Sequence, residues 1–262
     1  MHRVEVLVTG IGGYIGSRLG PRLRRDGHSV RGLSRHPGAL DPPPQVPVFE
    51  GDAVSGAGLE RALEGVEVAY FLIHSMEPSL NGPFTARDRA AATNFARAAQ
   101  AAGTRRIVYL GGLIPAVGPR SIHLASRLEV EEMLLAASPD SVALRASIVI
   151  GAGSSSFRFL VRLVERLPVV PLPAWRTHRT TPIDERDIIE LLARAAGSEQ
   201  IGGQSLDVGG PEVVAYGELI DRIRGHLLLG RPTIGFKRLT ATPIASRIAA
   251  VIAGEDHELI GP

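Results

Sequence analysis

The stretch Thr9-Gly10-Ile11-Gly12-Gly13-Tyr14-Ile15-Gly16 carries the plainest chemistry in this 262-residue chain. An apolar run ends in glycines spaced Gly-x-x-Gly-x-x-Gly, and a helical pattern follows. A turn of this kind brings backbone N–H groups to the end of a strand. The next helix points its positive end at the same place, so an anion such as a pyrophosphate binds there. Gly10 permits the tight turn, Gly13 lets the backbone approach the anion, and Gly16 lets the helix pack close to the strand. The second candidate is the pair His123 and Arg127, four residues apart and so on one face of a predicted helix. Histidine titrates near neutral pH and can move a proton, and arginine is a permanent cation. The same spacing also allows a structural reading, in which His123 caps or precedes the helix and Arg127 pairs with Glu131.

Alternating strands and helices must position these groups. Strands are predicted at Val4–Thr9, His28–Leu33, Val46–Glu50, Glu67–Ile73, Arg106–Leu110 and Val142–Ile150. Helices are predicted between them at Tyr14–Arg25, Gly58–Glu64, Thr85–Ala102 and Leu124–Ala137, several of them stopped by glycine. Repeated β-α-β units with short links give an α/β fold, a doubly wound parallel sheet covered by helices on both faces. The rhythm changes after Gly151. Helices are expected at Phe157–Leu167, at Asp184–Ala196 with Asp184 as N-cap, and at Tyr216–Leu229. Pro168–Pro173 reads as an extended piece and Ser205–Val208 as a short strand. The expected organisation is a dinucleotide-binding part, residues 1–150, with a smaller irregular C-terminal region, 151–262, packed on the substrate side as one continuous unit. The last ~30 residues read as a lid or docking helix.

Composition narrows the functional classes. The net charge is +2, from 29 basic and 27 acidic residues, which gives no reason to expect a nucleic-acid partner. Cysteine is absent, so disulfides, thiolate metal sites and thiol nucleophiles are excluded, and no metal is expected. Lys237 is the single lysine, which leaves a catalytic lysine almost nowhere to stand. The first strand begins too early to leave room for a leader peptide. No apolar run nears the ~20 residues a bilayer span needs. The greasiest, Phe157–Leu172, is interrupted by Arg158, Arg162, Glu165 and Arg166. A cytoplasmic protein with no membrane partner is expected.

The second strand ends in Ser34-Arg35, where a site for an unphosphorylated ribose would place Asp or Glu. A guanidinium grips a 2′-phosphate with two hydrogen bonds, so Arg35 points to NADP(H) over NAD(H), unless it is a solvated loop arginine. His74, after the fourth strand, either faces the nicotinamide or is a hydrogen-bonded loop histidine. Ala146, near the end of the sixth, would lie beside the nicotinamide ribose.

The Thr-Gly-x-x-Gly-x-x-Gly spacing resembles that of short-chain dehydrogenases/reductases. The stretches Ala69–Met76, Asn94–Ala99, Arg106–Leu113, His123–Arg127, Leu144–Gly151 and Asp207–Pro211 sharpen the resemblance. They look like a bacterial group of atypical members, NAD(P)H-binding and close to the NmrA-like and complex-I-subunit-like branches. The resemblance implies a Rossmann-type fold and a cofactor surface built from Thr9, Gly10, Gly13, Tyr14, Ile15 and Gly16. Ser34, Arg35, Asp52, Ala53, Ile73, His74, Gly111 and Ala146 would complete it. Asp52 would accept from the adenine amino group, although it could equally cap the following helix. The segment Arg179–Ile183 would close over the cofactor. His74, Trp175 and Arg179 are candidate substrate contacts; packing is an equal role for Trp175.

The family's Ser and Tyr-x-x-x-Lys are missing. Glycines 111 and 112 stand at the Ser position, and His123 and Arg127 stand at the Tyr and Lys spacing. The resemblance implies the fold and the cofactor but no particular substrate; the retained His-x-x-x-Arg spacing gives the expectation of an NADP(H)-dependent reductase, or an isomerase or dehydratase, of a small carbonyl compound, with His123 and Arg127 as its catalytic residues. The alternative is a non-catalytic NADP(H)-sensing or structural protein acting on a protein partner. A homodimer is expected by analogy with the fold.

Overall fold

The structure is a computed structural model that describes residues 3–42, 44–73, 84–115, 118–119, 121–172 and 174–235. Its first ten elements alternate as the sequence predicts. They are β1 (Glu5–Thr9), α1 (Gly16–Arg25), β2 (Ser29–Ser34), β3 (Val48–Glu50), α2 (Leu59–Leu63), β4 (Val68–Phe71), α3 (Phe84–Ala101), β5 (Arg106–Gly112), α4 (Ile122–Ala137) and β6 (Val142–Ala146). Ten further strands and helices follow: β7 (Val149–Ile150), α5 (Ser155–Arg166), β8 (Val170–Leu172), β9 (Arg179–Thr180), β10 (Ile183–Asp184), α6 (Glu185–Ala195), β11 (Gln204–Val208), β12 (Val214–Ala215), α7 (Tyr216–His226) and β13 (Thr233–Gly235).

The main sheet has the strand order β11-β6-β5-β4-β1-β2-β3, and the pairs from β3 through β6 are parallel. This is the doubly wound Rossmann order, whose direction reverses between β1 and β4. Being parallel, β1 to β6 all end on one edge. Strands enclosed on both faces must be apolar throughout, and Val6, Leu7, Val8, Val68, Ala69 and Tyr70 are fully buried. One covering core joins Leu7, Phe71 and Tyr109 of the sheet to Phe95 of α3 and Leu134 of α4.

Two compact units divide the chain. The first comprises the sheet-forming residues up to Ala146 together with Arg186–Asp207; the second takes Ser147–Glu185 and the chain from Val208. The strand predicted as Val142–Ile150 is broken at this boundary. β6 ends at Ala146, and β7 pairs with β10 in a separate two-stranded sheet. In the second unit Phe159, Leu160, Leu163 and Val164 of α5 pack with Leu219, Ile220 and Ile223 of α7.

Buried charges lock the first unit. Arg106, 1% exposed, donates to Asp140 at 2.7 Å and to the Ala195 carbonyl at 2.6 Å. Glu131 is gripped through both carboxylate oxygens by Arg145 and accepts from Ser205 Oγ at 2.5 Å, linking α4, β6 and β11. Deleting Arg145 would strand a buried carboxylate, a loss of about 3–5 kcal/mol by analogy with other buried pairs.

His28 is also buried, and neither ring nitrogen has a hydrogen-bond partner. Desolvation lowers its pKa from the ordinary 6.5. The unfolded chain then binds the proton more readily, so stability is fully present above pH 6.5 and is lost as pH falls toward the folded-state value. His28→Leu should flatten the fall of the urea midpoint between pH 7 and pH 5. An unchanged pH profile in the variant would contradict this assignment.

Candidate functional site

The carboxyl edge of β1–β6 gathers most of the predicted site residues. At its centre, Gly10 has φ +63°, the left-handed region that glycine tolerates, and its carbonyl accepts from Gly13 N at 2.8 Å. A Cβ placed on Gly16 would lie 2.2 Å from that same carbonyl oxygen. No side chain but hydrogen fits there, which is how α1 begins so close to the end of β1. The helix has no side-chain N-cap bond at Ile15 and no acidic residue in its first turn. Its positive end therefore faces the turn without a competing carboxylate.

Neighbouring side chains brace this turn. Ile11 is fully buried and sits against Gly20 and Gly32, where an added Cβ would approach it to 2.9 and 2.8 Å. Thr9 Oγ1 donates to the Tyr70 carbonyl at 2.9 Å and accepts from Leu72 N at 3.0 Å, tying β1 to the end of β4. Its hydroxyl thus holds the two strands at the reversal point. Tyr14 stacks under the Arg18 guanidinium at 4.5 Å.

Ser34 ends β2 and accepts from His36 N at 3.2 Å, and Arg35 is exposed beside it. Asp52 follows β3 and closes an Asx turn, accepting from Val54 N through Oδ1 at 2.9 Å. Asn94 Nδ2 of α3 donates to the carbonyls of Ala53 and Val54 at 3.2 and 2.8 Å, fixing this loop. Ile73 follows β4 and packs on the core, Gly111 lies in β5, and Ala146 ends β6, where its carbonyl accepts from Leu113 N. His74 lies outside the described residues. Trp175 stands in a short 3-10 helix and Arg179 in β9, both in the second unit.

The reason for Gly111 is visible. A Cβ on it would lie 2.9 Å from the Tyr109 ring, whereas one on Gly112 would meet Leu124 and Arg127 of α4 at ordinary contact distances. Ser121 caps that helix, accepting from Leu124 N, so His123 stands inside its first turn. Arg127 Nε donates to His123 Nε2 at 3.0 Å, whereas Glu131 is taken by Arg145. Arginine can only donate, so Nε2 is the bare nitrogen and the hydrogen of the neutral ring is on Nδ1. Desolvation first, and Arg127 second, push the His123 pKa down to about 4. The ring is therefore neutral at pH 7, in contrast to the near-neutral titration expected from histidine alone. Burial also lowers the Arg127 pKa, against the opposing influence of Tyr109 and Asp88.

Three contributors escaped the sequence reading: Ile11 beneath the turn, Asn94 behind Asp52, and Leu40, which rests on Gly12. Asn94 stood inside a stretch that carried the family resemblance, but no spacing rule ties it to a loop 40 residues earlier. Among the described residues no cluster of His, Asp or Glu could hold a metal ion, and no helix is long and apolar enough to cross a membrane.

Comparison with known proteins agrees with this geometry. Residues 10–147 match the family model described as NAD(P)H-binding. A ceramide reductase from Caulobacter vibrioides is 30% identical over 204 residues, 76% of this chain and 63% of that protein. A 3 beta-hydroxysteroid dehydrogenase/Delta 5-->4-isomerase from Mycobacterium tuberculosis is 30% identical over 126 residues, 45% of this chain and 34% of the relative. The chain thus spans less than two thirds of either relative. Among solved structures, MoeE5 in complex with UDP-glucuronic acid and NAD superposes with a TM-score of 0.71 at 24% identity, covering 88% of this chain and 85% of that one. A short-chain dehydrogenase/reductase superfamily protein from Agrobacterium tumefaciens with bound NAD gives 0.69 at 20% identity, with the same coverage of the two chains. At these identities the solved structures establish the fold.

Two consequences can be measured. Gly16→Ala should abolish dinucleotide binding or unfold the turn, and a variant that binds like the parent would refute the close approach described. Arg127→Met should raise the His123 pKa from about 4 part of the way toward 6.5 in an NMR titration, because the larger desolvation effect remains. A pKa that stays put would show that the two side chains are not in contact.

Proposed function

We propose a function from one premise: the chain belongs to the NAD(P)H-binding family of atypical short-chain dehydrogenases/reductases. On this reading it binds NADP(H) and reduces or isomerises a small carbonyl compound. The residues present fit the cofactor. A Cβ on Gly16 would lie 2.2 Å from the Gly10 carbonyl oxygen and one on Gly13 would lie 3.1 Å from it, so glycine at both keeps the cradle open, and the uncapped end of α1 suits a pyrophosphate. The backbone of Gly10, Gly13, Ile15 and Gly16 would hold the phosphates. Asp52 and Ala53 would meet the adenine, with Ile73, Gly111 and Ala146 along the nicotinamide half. Arg35 has no ion-pair partner among the described residues, which supports a 2′-phosphate as its counter-ion. The cofactor supplies the hydride.

The observation that carries a catalytic role is the 3.0 Å hydrogen bond from Arg127 to His123. It fixes the tautomer and leaves Nδ1–H as the ring's donor. A neutral imidazole held this way stabilises negative charge growing on a carbonyl oxygen by donating a hydrogen bond, a use of histidine known from other enzymes. It does not deliver a proton as an imidazolium, because that form is scarce at pH 7. His74, Trp175 and Arg179 are the proposed substrate contacts. The ceramide reductase and the steroid dehydrogenase/isomerase favour an apolar carbonyl compound as substrate. A cytoplasmic location accords with the lack of cysteine.

One observation favours the alternative, a cofactor-sensing protein: the end of β5 carries glycines at 111 and 112, and the strand's one hydroxyl, on Tyr109, is buried and donates to the Arg127 carbonyl instead of facing a substrate. NADPH consumption with a panel of aldehydes and ketones separates the two. The reductase reading predicts turnover that falls about 100-fold or more in His123→Ala while NADPH affinity changes little. Binding without turnover, or turnover indifferent to His123, would favour sensing.

A further inference from the structure

Gly12 is the one glycine of the turn that the dinucleotide fingerprint does not require. It is exposed, yet a Cβ built on it would lie 2.5 Å from Leu40 Cδ2 and 3.7 Å from Leu40 Cγ. The Leu40 side chain therefore rests directly on the Gly12 backbone. Leu40 is half-buried and is the first residue beyond a short 3-10 turn, Pro37–Ala39, and its N–H donates to the Pro37 carbonyl at 3.3 Å.

The segment is tied down at both ends. At its start His36 N donates to Ser34 Oγ, and at its finish Leu40 sits on the glycine turn. Between them the short turn holds through Ala39 N to the His36 carbonyl at 3.1 Å and through Leu40 N to Pro37. Arg35 lies inside this closed strap, with an exposed side chain and no protein ion pair among the described residues. A long side chain loses much rotamer and backbone freedom on gripping a phosphate, and a strap fixed in advance reduces that cost. The bare Gly12 is what lets the strap reach the turn.

We infer that Leu40 seated on Gly12 is a specificity device: it positions Arg35 toward a ribose 2′-phosphate and so sets the preference for NADPH over NADH. The inference rests on the reading that Arg35 meets this phosphate. It makes Leu40 a positioning residue that acts through Arg35. NADH lacks the phosphate and gains little from the seat. Gly12→Ala would lift Leu40 from its place, because the new methyl and the Leu40 methyl cannot share one position.

The test is calorimetric titration of the full chain and its variants with NADPH and with NADH. Arg35→Ala should weaken NADPH about tenfold or more and leave NADH within about twofold. Leu40→Ala should weaken NADPH about three- to tenfold with NADH again nearly unchanged, and Leu40→Met should recover most of the loss. Gly12→Ala should match Leu40→Ala, and adding it to Leu40→Ala should cost little more, the non-additivity of two residues in one contact. If Arg35→Ala leaves the NADPH-to-NADH ratio unchanged, the phosphate reading itself fails. If Arg35→Ala collapses the ratio and Leu40→Ala does not, the seat alone is refuted. Equal loss of both cofactors in Leu40→Ala would make Leu40 a general support of the turn, and tighter binding of both would make it an obstruction; either result overturns the inference.

Discussion

Everything on the carboxyl edge of this sheet depends on one close approach, the start of α1 against the Gly10 carbonyl. A single methyl at Gly16 would stand 2.2 Å from that oxygen. Because it is absent, the helix begins within the turn and directs its positive end to the point where the strand order reverses. Thr9 then uses its hydroxyl to hold β1 and β4 in register at that point. Ile11 plugs the underside of the turn against two more glycines. The turn's geometry is a consequence of packing as much as of the glycines' own freedom.

The other side of the site is governed by desolvation. A partly buried histidine and arginine share one hydrogen bond on α4, and the histidine gives way by staying neutral. The cation remains, since arginine does not deprotonate in proteins. The arrangement keeps a fixed positive charge beside an oriented, neutral ring on α4. Gly111 on β5 belongs to the same region, because the Tyr109 ring occupies the space beside it.

Local features of the fold were legible in the sequence, and long-range ones were not. Gly10, Gly13 and Gly16 announced the turn, and the glycine stops after Arg25 and Ala102 fell where the helices end. The run Val142–Ile150 hid its break at Ser147, because one polar residue in a β-prone run does not mark where a strand leaves one sheet for another. The Glu131–Arg145–Ser205 network was equally hidden. By spacing, Glu131 looked like the partner of Arg127 one turn away; the true partner is on β6, and Ser205 comes from a strand 74 residues later. Arg106 opened a predicted strand with nothing in the sequence to mark a partner, yet it is almost wholly buried against Asp140 and the end of α6. Leu40 stood in a proline-rich turn with nothing in its spacing to tie it to Gly12.

The central claim is that the Gly10–Gly16 cradle holds a dinucleotide whose adenosine end reaches Arg35. A crystal structure of the chain grown with NADPH tests it most directly. The account predicts the pyrophosphate against the backbone of Gly13 and Gly16 at the start of α1, with the 2′-phosphate beside Ser34 and Arg35. Cofactor density elsewhere on the molecule, or an empty cradle at saturating NADPH, would contradict it.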